Sequence, residues 1–514
     1  MMEVATHHTA TSHIPPHHPL AGAKLANMSA SHQSQSPLVQ SQAHTASNHS
    51  IQSQPSSWAS DTTQGTTHST LFNVPNTSNP AMPPASGGPP PPPTPNPGDV
   101  VVPTENIMNS VADASSSLFQ ICVSLRQRLL GVPGFNDSLL EEEEFADQDT
   151  DPVTLLWRTF RRGYPLQLLY NALRPSQPLE LNMALKEEKR GKAATFKFLQ
   201  ACVNDLKFPA DECFIVTDLY GDDTTGFVKV TRVVNRVLDI LVHRGLVDDV
   251  QPTASDFESA KTSLKRTQRQ HIISELVTTE RTYVQHLELL QAFKRLVEEK
   301  GVIPGDAVHD IFLNLNALLD FQRRFLIRVE QTNALPEEEQ NWGKLFVLYN
   351  DAFKVYEPYI ANQRRCEKVV VAEFNKLKEA GGSNKMRQMV ESPTALYGFL
   401  MKPFQRLSKY PLLLGDLHKK GDLDEQRKSD LIIGKEAATS VLSRTNHAVD
   451  REEKAAAVQE LKMRVEDWKG HRVEGFGELL MYGTFTVLKS ENLANGKDAE
   501  RQVREQQAHS VENF

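Results

Sequence analysis

Cysteine is scarce in this sequence. The four residues, Cys122, Cys202, Cys213 and Cys366, are scattered and form no C-x-x-C pair. That argues against a disulfide framework or a zinc module and for a reducing compartment. No run of about 18 uninterrupted apolar residues occurs, so no membrane span is expected. The first residues lack a basic segment followed by an apolar one, so no secretory signal is expected. Strongly basic blocks are missing too: 56 Lys+Arg against 64 Asp+Glu leave a formal charge of −8, which makes nucleic acid a poor partner. G-x-x-x-x-G-K-[ST], H-E-x-x-H and G-x-S-x-G are all absent, so no catalytic residue, cofactor or metal ligand is assigned.

Charge itself is nearly missing from residues 1–100, where only Glu3, Lys24, Asp61 and Asp99 occur. The same stretch holds 16 of the 30 prolines and 9 of the 17 histidines. Too little apolar surface is available there to offset ordering entropy, so residues 1–105 are expected to be a disordered Ser/Thr/Gln/His/Pro-rich leader. His7, His8, His13, His17 and His18 lack fixed metal-ligand spacing and read as a solvated polar tract. Pro89 to Pro93, Pro95 and Pro97 read as a stiff polyproline II spacer.

Beyond the leader the pattern turns helical. LFQICVSLRQRLL (118–130) sets Leu118, Ile121, Leu125 and Leu129 on one face. An acidic loop at Glu141 to Glu144 is expected next. Further helices are expected at 153–160, 193–205, 209–220 and 228–243, the third opened by Pro209-Ala-Asp-Glu. DLYGDDTTG (218–226) resembles a calcium loop, but Asp223 and Lys229 stand where an EF-hand needs Gly and Glu. A helix-terminating turn is the better reading. Residues 101–264 carry a charge of −7 and residues 265–454 a charge of +3.

From Leu264 to about Leu461 the pattern is one of long amphipathic helices. In RQHIISELVTTERTYVQHLELLQAF (269–293), at about 100° per residue, Ile273, Leu276, Val277, Tyr283, Val284 and Leu287 share one direction. Glu280 sits inside that stripe, where a carboxylate must be paired, solvated at an interface or neutral. ALYGFLMKPFQRLSKYPLLLGDL (395–417) reads as a helix bent at Pro403 and Pro411. Leu396, Leu400, Pro403, Leu407 and Leu414 form its core face. The other side gathers Met401, Lys402, Gln405, Lys409, Leu412, Leu413 and Asp416, the mixture of apolar and charged groups found on docking surfaces.

FKFLQACVNDL (196–206), FIVTDLYG (214–221) and the valine-rich last helix resemble a calponin-homology domain. HIISELVTTERTYVQHLELL and LMKPFQRLSKYPLLLGDL resemble the first and third conserved regions of the Dbl-homology domain. WGKLFVLYNDAFKVYEPYIANQ (342–363) and KEAATSVLSRTNHAVDREE (435–453) fit the same domain. In this order they resemble the fungal cell-polarity subfamily of Rho-type guanine-nucleotide exchange factors.

The resemblance implies a regulator that opens a GTPase without bond chemistry. It places Glu280 where the family engages switch 1, and Lys409 and Asn446 where it engages switch 2. Met401 falls where side-chain fit selects among GTPases. Gln405 and Leu412 complete the expected GTPase-binding set. It also makes the Glu280 stripe part of an intermolecular surface, with the acid unpaired inside the protein.

GHRVEGFGELLMYGTFTVLK (470–489) has strand-like content and resembles the opening of a pleckstrin-homology domain. Only 45 residues come after Lys469, so an incomplete fragment of a shortened chain is expected, with no sound phosphoinositide site. The expected fold is therefore mainly α. A disordered leader spans 1–105, a calponin-homology domain 110–250 and an elongated Dbl-homology bundle 265–458. A partial pleckstrin-homology β fragment and polar tail span 465–514. The expected partners are a Rho-family GTPase and, through the calponin-homology domain, a polarity scaffold and upstream signalling proteins. The expected location is cytoplasmic, at the cell cortex or sites of polarised growth. The rival reading is an actin-binding or signalling scaffold with an inert bundle.

Overall fold

The computed structural model describes residue 107 and residues 110–147, 149–248, 266–420 and 423–483, with the short pieces 485–486 and 505–506. The leader with its histidine cluster and proline run, and most of the tail, lie outside the described residues.

The first block holds α1 (Leu118–Leu130), α2 (Phe135–Glu143), α3 (Pro152–Arg161), α4 (Tyr164–Asn171), α5 (Glu187–Asn204), α6 (Val216–Tyr220) and α7 (Thr224–His243). Local chemistry starts them. The Ser117 hydroxyl accepts the Gln120 N–H at the start of α1, and Asp151 accepts that of Thr154 at the start of α3, with Pro152 at the first position. Their apolar faces then meet. Val230, Val234, Val237, Leu238 and Leu241 of α7 are buried against Leu125, Leu129 and Phe160, each side chain contributing about 1.5–3 kcal/mol. Trp157 stacks on Phe227 at 4.6 Å and donates its indole N–H to the Leu219 carbonyl at 2.8 Å.

The second block holds α8 (Gln268–Lys300), α9 (Gly305–Phe312), α10 (Leu315–Ala334), α11 (Trp342–Tyr349), α12 (Tyr356–Ala361), α13 (Gln363–Glu379), α14 (Asn384–Met389), α15 (Pro393–Leu400), α16 (Lys402–Lys420) and α17 (Glu425–Arg464). A capping box of Thr267 and Gln270 opens α8, and Gly301, in the left-handed region at φ 59°, closes it. The core is a continuous aromatic and aliphatic seam that includes Phe325, Phe346 and Tyr410, with Phe325–Phe346 centroids 5.3 Å apart and Phe346–Tyr410 centroids 5.2 Å apart. α11 crosses α17 with Gly343 against Gly434. A Cβ on Gly343 would lie 2.2 Å from the Asp430 backbone, so only glycine allows this approach.

Four local expectations change. The acidic run at Glu141 to Glu144 is the end of a helix, because Phe135 and Leu139 of α2 are buried and Glu141 and Glu143 pair with Arg162 and Arg126. No helix opens at Pro209. Residues 209–213 form tight turns that carry Cys213 and Phe214 into the core, and the helix starts only at Val216. In α1, Cys122 takes the buried place expected of Ile121, which is only half-buried. The single bent helix at 395–417 is two helices, α15 and α16. Pro403, without an N–H, sits in the first turn of α16 and the ladder restarts there, while Pro411 stays inside α16. Residues 218–226 form the expected turn: α6 ends at Gly221, Asp223 caps α7 and Asp218 pairs with Lys229. Beyond Lys469, strand among the described residues is limited to Phe485–Thr486 pairing antiparallel with Glu505–Gln506, and Val473–Phe476 is a 3-10 turn.

Candidate functional site

α16 decides what the second block offers to a partner. Its core side buries Pro403, Leu407, Tyr410 and Leu414. Gln405, Lys409, Leu412 and Asp416 fall within about 60° of one another on the helix, and together they form its outer side. Leu412 is 59% exposed. Lys409 makes no ion pair among the described residues. α17 lies alongside. Gly415 of α16 stands about 4 Å from the Lys435 side chain of α17. Asn446 lies eleven residues on from Lys435, three turns along the same side of α17, and is exposed. Lys409 and Asn446 are thus exposed on two adjacent helices, α16 and α17, whose outward side is the open seam.

Two residues expected on this outer side are not there. Met401 is 8% exposed and sits in the turn between α15 and α16, and Leu413 is 7% exposed. Leu413 belongs to the bundle core, at the edge of the helix face that carries Arg406 and Tyr410. Lys402 is half-buried over the Phe399 ring at 4.9 Å, and burial holds its pKa down.

Glu280 is fully buried and is not unpaired. One oxygen receives Arg406 Nε at 2.8 Å and Nη2 at 2.5 Å; the other receives Gln322 Nε2. The Tyr410 hydroxyl donates to the same carboxylate at 3.0 Å. Arg406 also donates to Thr279 Oγ1 at 2.7 Å and to the Leu276 carbonyl at 3.1 Å. Burial opposes the charge on Arg406, yet Glu280 raises its pKa, and burial raises that of Tyr410. The network continues through Gln322 Oε1, which accepts from Tyr356 at 2.6 Å, to Tyr283, whose hydroxyl lies 3.1 Å from that of Tyr356. It ties α8, α10, α12 and α16 together.

Comparison with known proteins decides what this bundle is. The CDC24 Calponin family matches residues 151–238 and the RhoGEF domain family matches residues 272–446. The chain carries a RhoGEF domain behind a CDC24-type calponin domain. Rho guanine nucleotide exchange factor scd1 of Schizosaccharomyces pombe is 31% identical over 404 residues, covering 75% of this chain and 45% of that protein. Cell division control protein 24 of Saccharomyces cerevisiae is 31% identical over 343 residues, covering 65% and 39%. The chain thus spans less than half the length of either relative. Among solved structures, the DH/PH domains of p115-RhoGEF align over 44% of this chain and 68% of that one, at 21% identity and a TM-score of 0.37.

Within the RhoGEF domain, Arg406, Tyr410 and Gln322 escaped sequence reading. One signal was present. On the α16 wheel Arg406 falls only about 40° from Tyr410, at the edge of the core face. A guanidinium there needs a buried acid, and Glu280 is the acid inside a stripe. The pair is 126 residues apart, and periodicity alone does not join residues at that distance. No helix among the described residues is long and apolar enough to cross a membrane.

Proposed function

We propose that this chain activates a Rho-family GTPase of the cell-polarity type by binding its switch regions and promoting GDP release. The observation that supports the reading is the outward side of a RhoGEF domain on which Gln405, Lys409 and Leu412 of α16 and Asn446 of α17 are all exposed. Lys409 offers a cation and Asn446 a donor and acceptor to switch 2, and Leu412 adds an apolar contact on the same outward side. Met401, at the turn that opens α16, shapes the edge of that surface. Glu280, which the resemblance assigns to switch 1, is fully buried on Arg406 and meets a partner only when that pairing opens.

The mechanism rests on linkage. A regulator that binds the nucleotide-free GTPase best must weaken nucleotide binding by the same factor, and incoming nucleotide must expel the regulator. No covalent bond is made or broken by the chain, so it is a regulator and not an enzyme of bond chemistry. Excess GTP in the cell sets the direction. The calponin domain serves polarity scaffolds and upstream signalling proteins, and brings the chain to the cortex.

Release of a fluorescent guanine nucleotide from a panel of Rho-family GTPases tests this. Lys409→Ala with Asn446→Ala is expected to slow release by about thirtyfold or more, with helicity retained, since neither side chain belongs to the core. Wild-type rates in that variant would sink the assignment. Glu280→Ala is the poorer probe, because it would leave the buried Arg406 without its partner. Co-sedimentation with actin filaments combined with no nucleotide release would favour the scaffold reading.

A further inference from the structure

The calponin domain is docked on α10 and α8, while the open seam stands on α16 and α17. The dock is polar and directional. At the start of α7, the Thr224 N–H donates to Asp320 Oδ1 at 2.7 Å, and Arg323 Nη1 donates to Thr225 Oγ1 at 2.9 Å. The Ser117 hydroxyl, which caps α1, donates to Glu330 Oε2 at 2.7 Å. Arg281 pairs with the other oxygen of Glu330. Ile327 of α10 is buried among the apolar residues of the calponin domain. Asp320 and Glu330 therefore place acceptors at the starts of α7 and α1, where free N–H groups and the helix dipole favour negative charge.

α10 also faces the other way. Gln322, next in sequence to Arg323, is fully buried and donates to Glu280 and, at 3.0 Å, to the Tyr410 hydroxyl. Tyr410 adjoins Lys409 on α16. One helix thus holds the calponin domain with Asp320 and Arg323 and holds α16 with Gln322. We propose that the calponin domain is a brace on the RhoGEF domain, and that Gln322 is the positioning residue through which its dock sets the α16 surface. A lid over the seam would act with the opposite sign. The brace presupposes that the chain is an exchange factor.

The test is a double-mutant cycle in the full chain, read as the rate of guanine-nucleotide release from the most responsive GTPase. Thr225→Val with Asp320→Ala weakens the dock, and Thr225→Ser, which keeps the acceptor, serves as the conservative control. The dock variant and Gln322→Met are each expected to slow release about fivefold, and Thr225→Ser to match wild type. Combined, they should be no slower than the slower of the two, because the losses pass through one residue. Should Gln322→Met fail to fold, Tyr356→Phe takes its place, removing the bond that orients Gln322 together with the contact to the Tyr283 hydroxyl. A dock variant as fast as wild type or faster would overturn the brace, and so would losses that multiply. A wild-type chain inactive on every GTPase of the panel would overturn the exchange reading and the brace with it. An active wild type with a fast dock variant would overturn the brace alone.

Discussion

The RhoGEF domain has two unlike faces. On the α8–α10 side, charges are partnered: Arg323 with Glu288, Arg281 with Glu330, and Arg324 with Asp320, with the calponin domain laid over them. Along α16 and the first turns of α17, Lys409 stands without an ion pair among the described residues, and Leu412, Ile432 and Ile433 are 59%, 46% and 47% exposed. A face already occupied satisfies its polar groups, whereas a face that awaits a partner leaves apolar side chains and charges in water. The difference separates side chains that hold this domain together from side chains left in water, and substitutions on either side of that boundary should behave differently.

The largest effect should come from the inside. Arg406→Met removes the guanidinium that pairs with Glu280 and leaves a carboxylate at 0% exposure with only neutral donors. Loss of one partner of a buried pair costs about 3–5 kcal/mol. Thermal unfolding should show the RhoGEF domain melting well below the wild-type transition. A shift of only a degree or two would mean that Glu280 is solvated, and the boundary between the two faces would dissolve at that residue.

The next effect is a pH dependence. His286 is buried beside the edge of Phe399 and lies 3.4 Å from the Ile107 carbonyl. Burial, then Lys402, lowers its pKa from 6.5 to about 4. The unfolded chain binds a proton in that window and the folded one does not, so stability is fully present above pH 6.5 and is lost as the pH falls toward 4. The contribution is on the order of 3 kcal/mol. His286→Gln should flatten the fall in melting temperature over that range; an unchanged slope would place the acid sensitivity elsewhere.

Much of this architecture was legible before any coordinates. The apolar periods of α7, α8 and α16 mark their core faces, and the KPFQRLSKYPLLL segment marks the domain. Gln405, Lys409 and Leu412 of α16 and Asn446 of α17 are exposed. What stayed hidden needs a second chain segment to be seen. Glu280 finds Arg406 from 126 residues away. Gly343 and Gly434 look like weak points of their helices until the crossing brings their backbones together. The dock of Thr224 on Asp320 carries no periodic signal at all, since it depends on a helix terminus and not on a helix face. Turn chemistry misled at Pro209, where an acidic start suggested a helix that burial of Cys213 and Phe214 prevents.

The finest test of the boundary sets the smallest expected effect on stability, at Leu412, beside its neighbour Leu413. Leu412 and Leu413 are chemically identical neighbours on α16, and sequence pattern places both outside. Leu412 is 59% exposed and Leu413 is 7% exposed, because successive residues stand about 100° apart on the helix and only Leu413 turns into the core. Leu413→Ala opens a cavity in the bundle core and should cost about 2–4 kcal/mol. Leu412→Ala removes a side chain that is mostly in water and should change stability by no more than about 0.5 kcal/mol. Nucleotide release should respond the other way round: slowed by Leu412→Ala at full helicity, and by Leu413→Ala only as far as the folded fraction falls. If Leu412→Ala destabilised the fold as much as its neighbour, that leucine would belong to the core, and the open face would be smaller than α16 makes it.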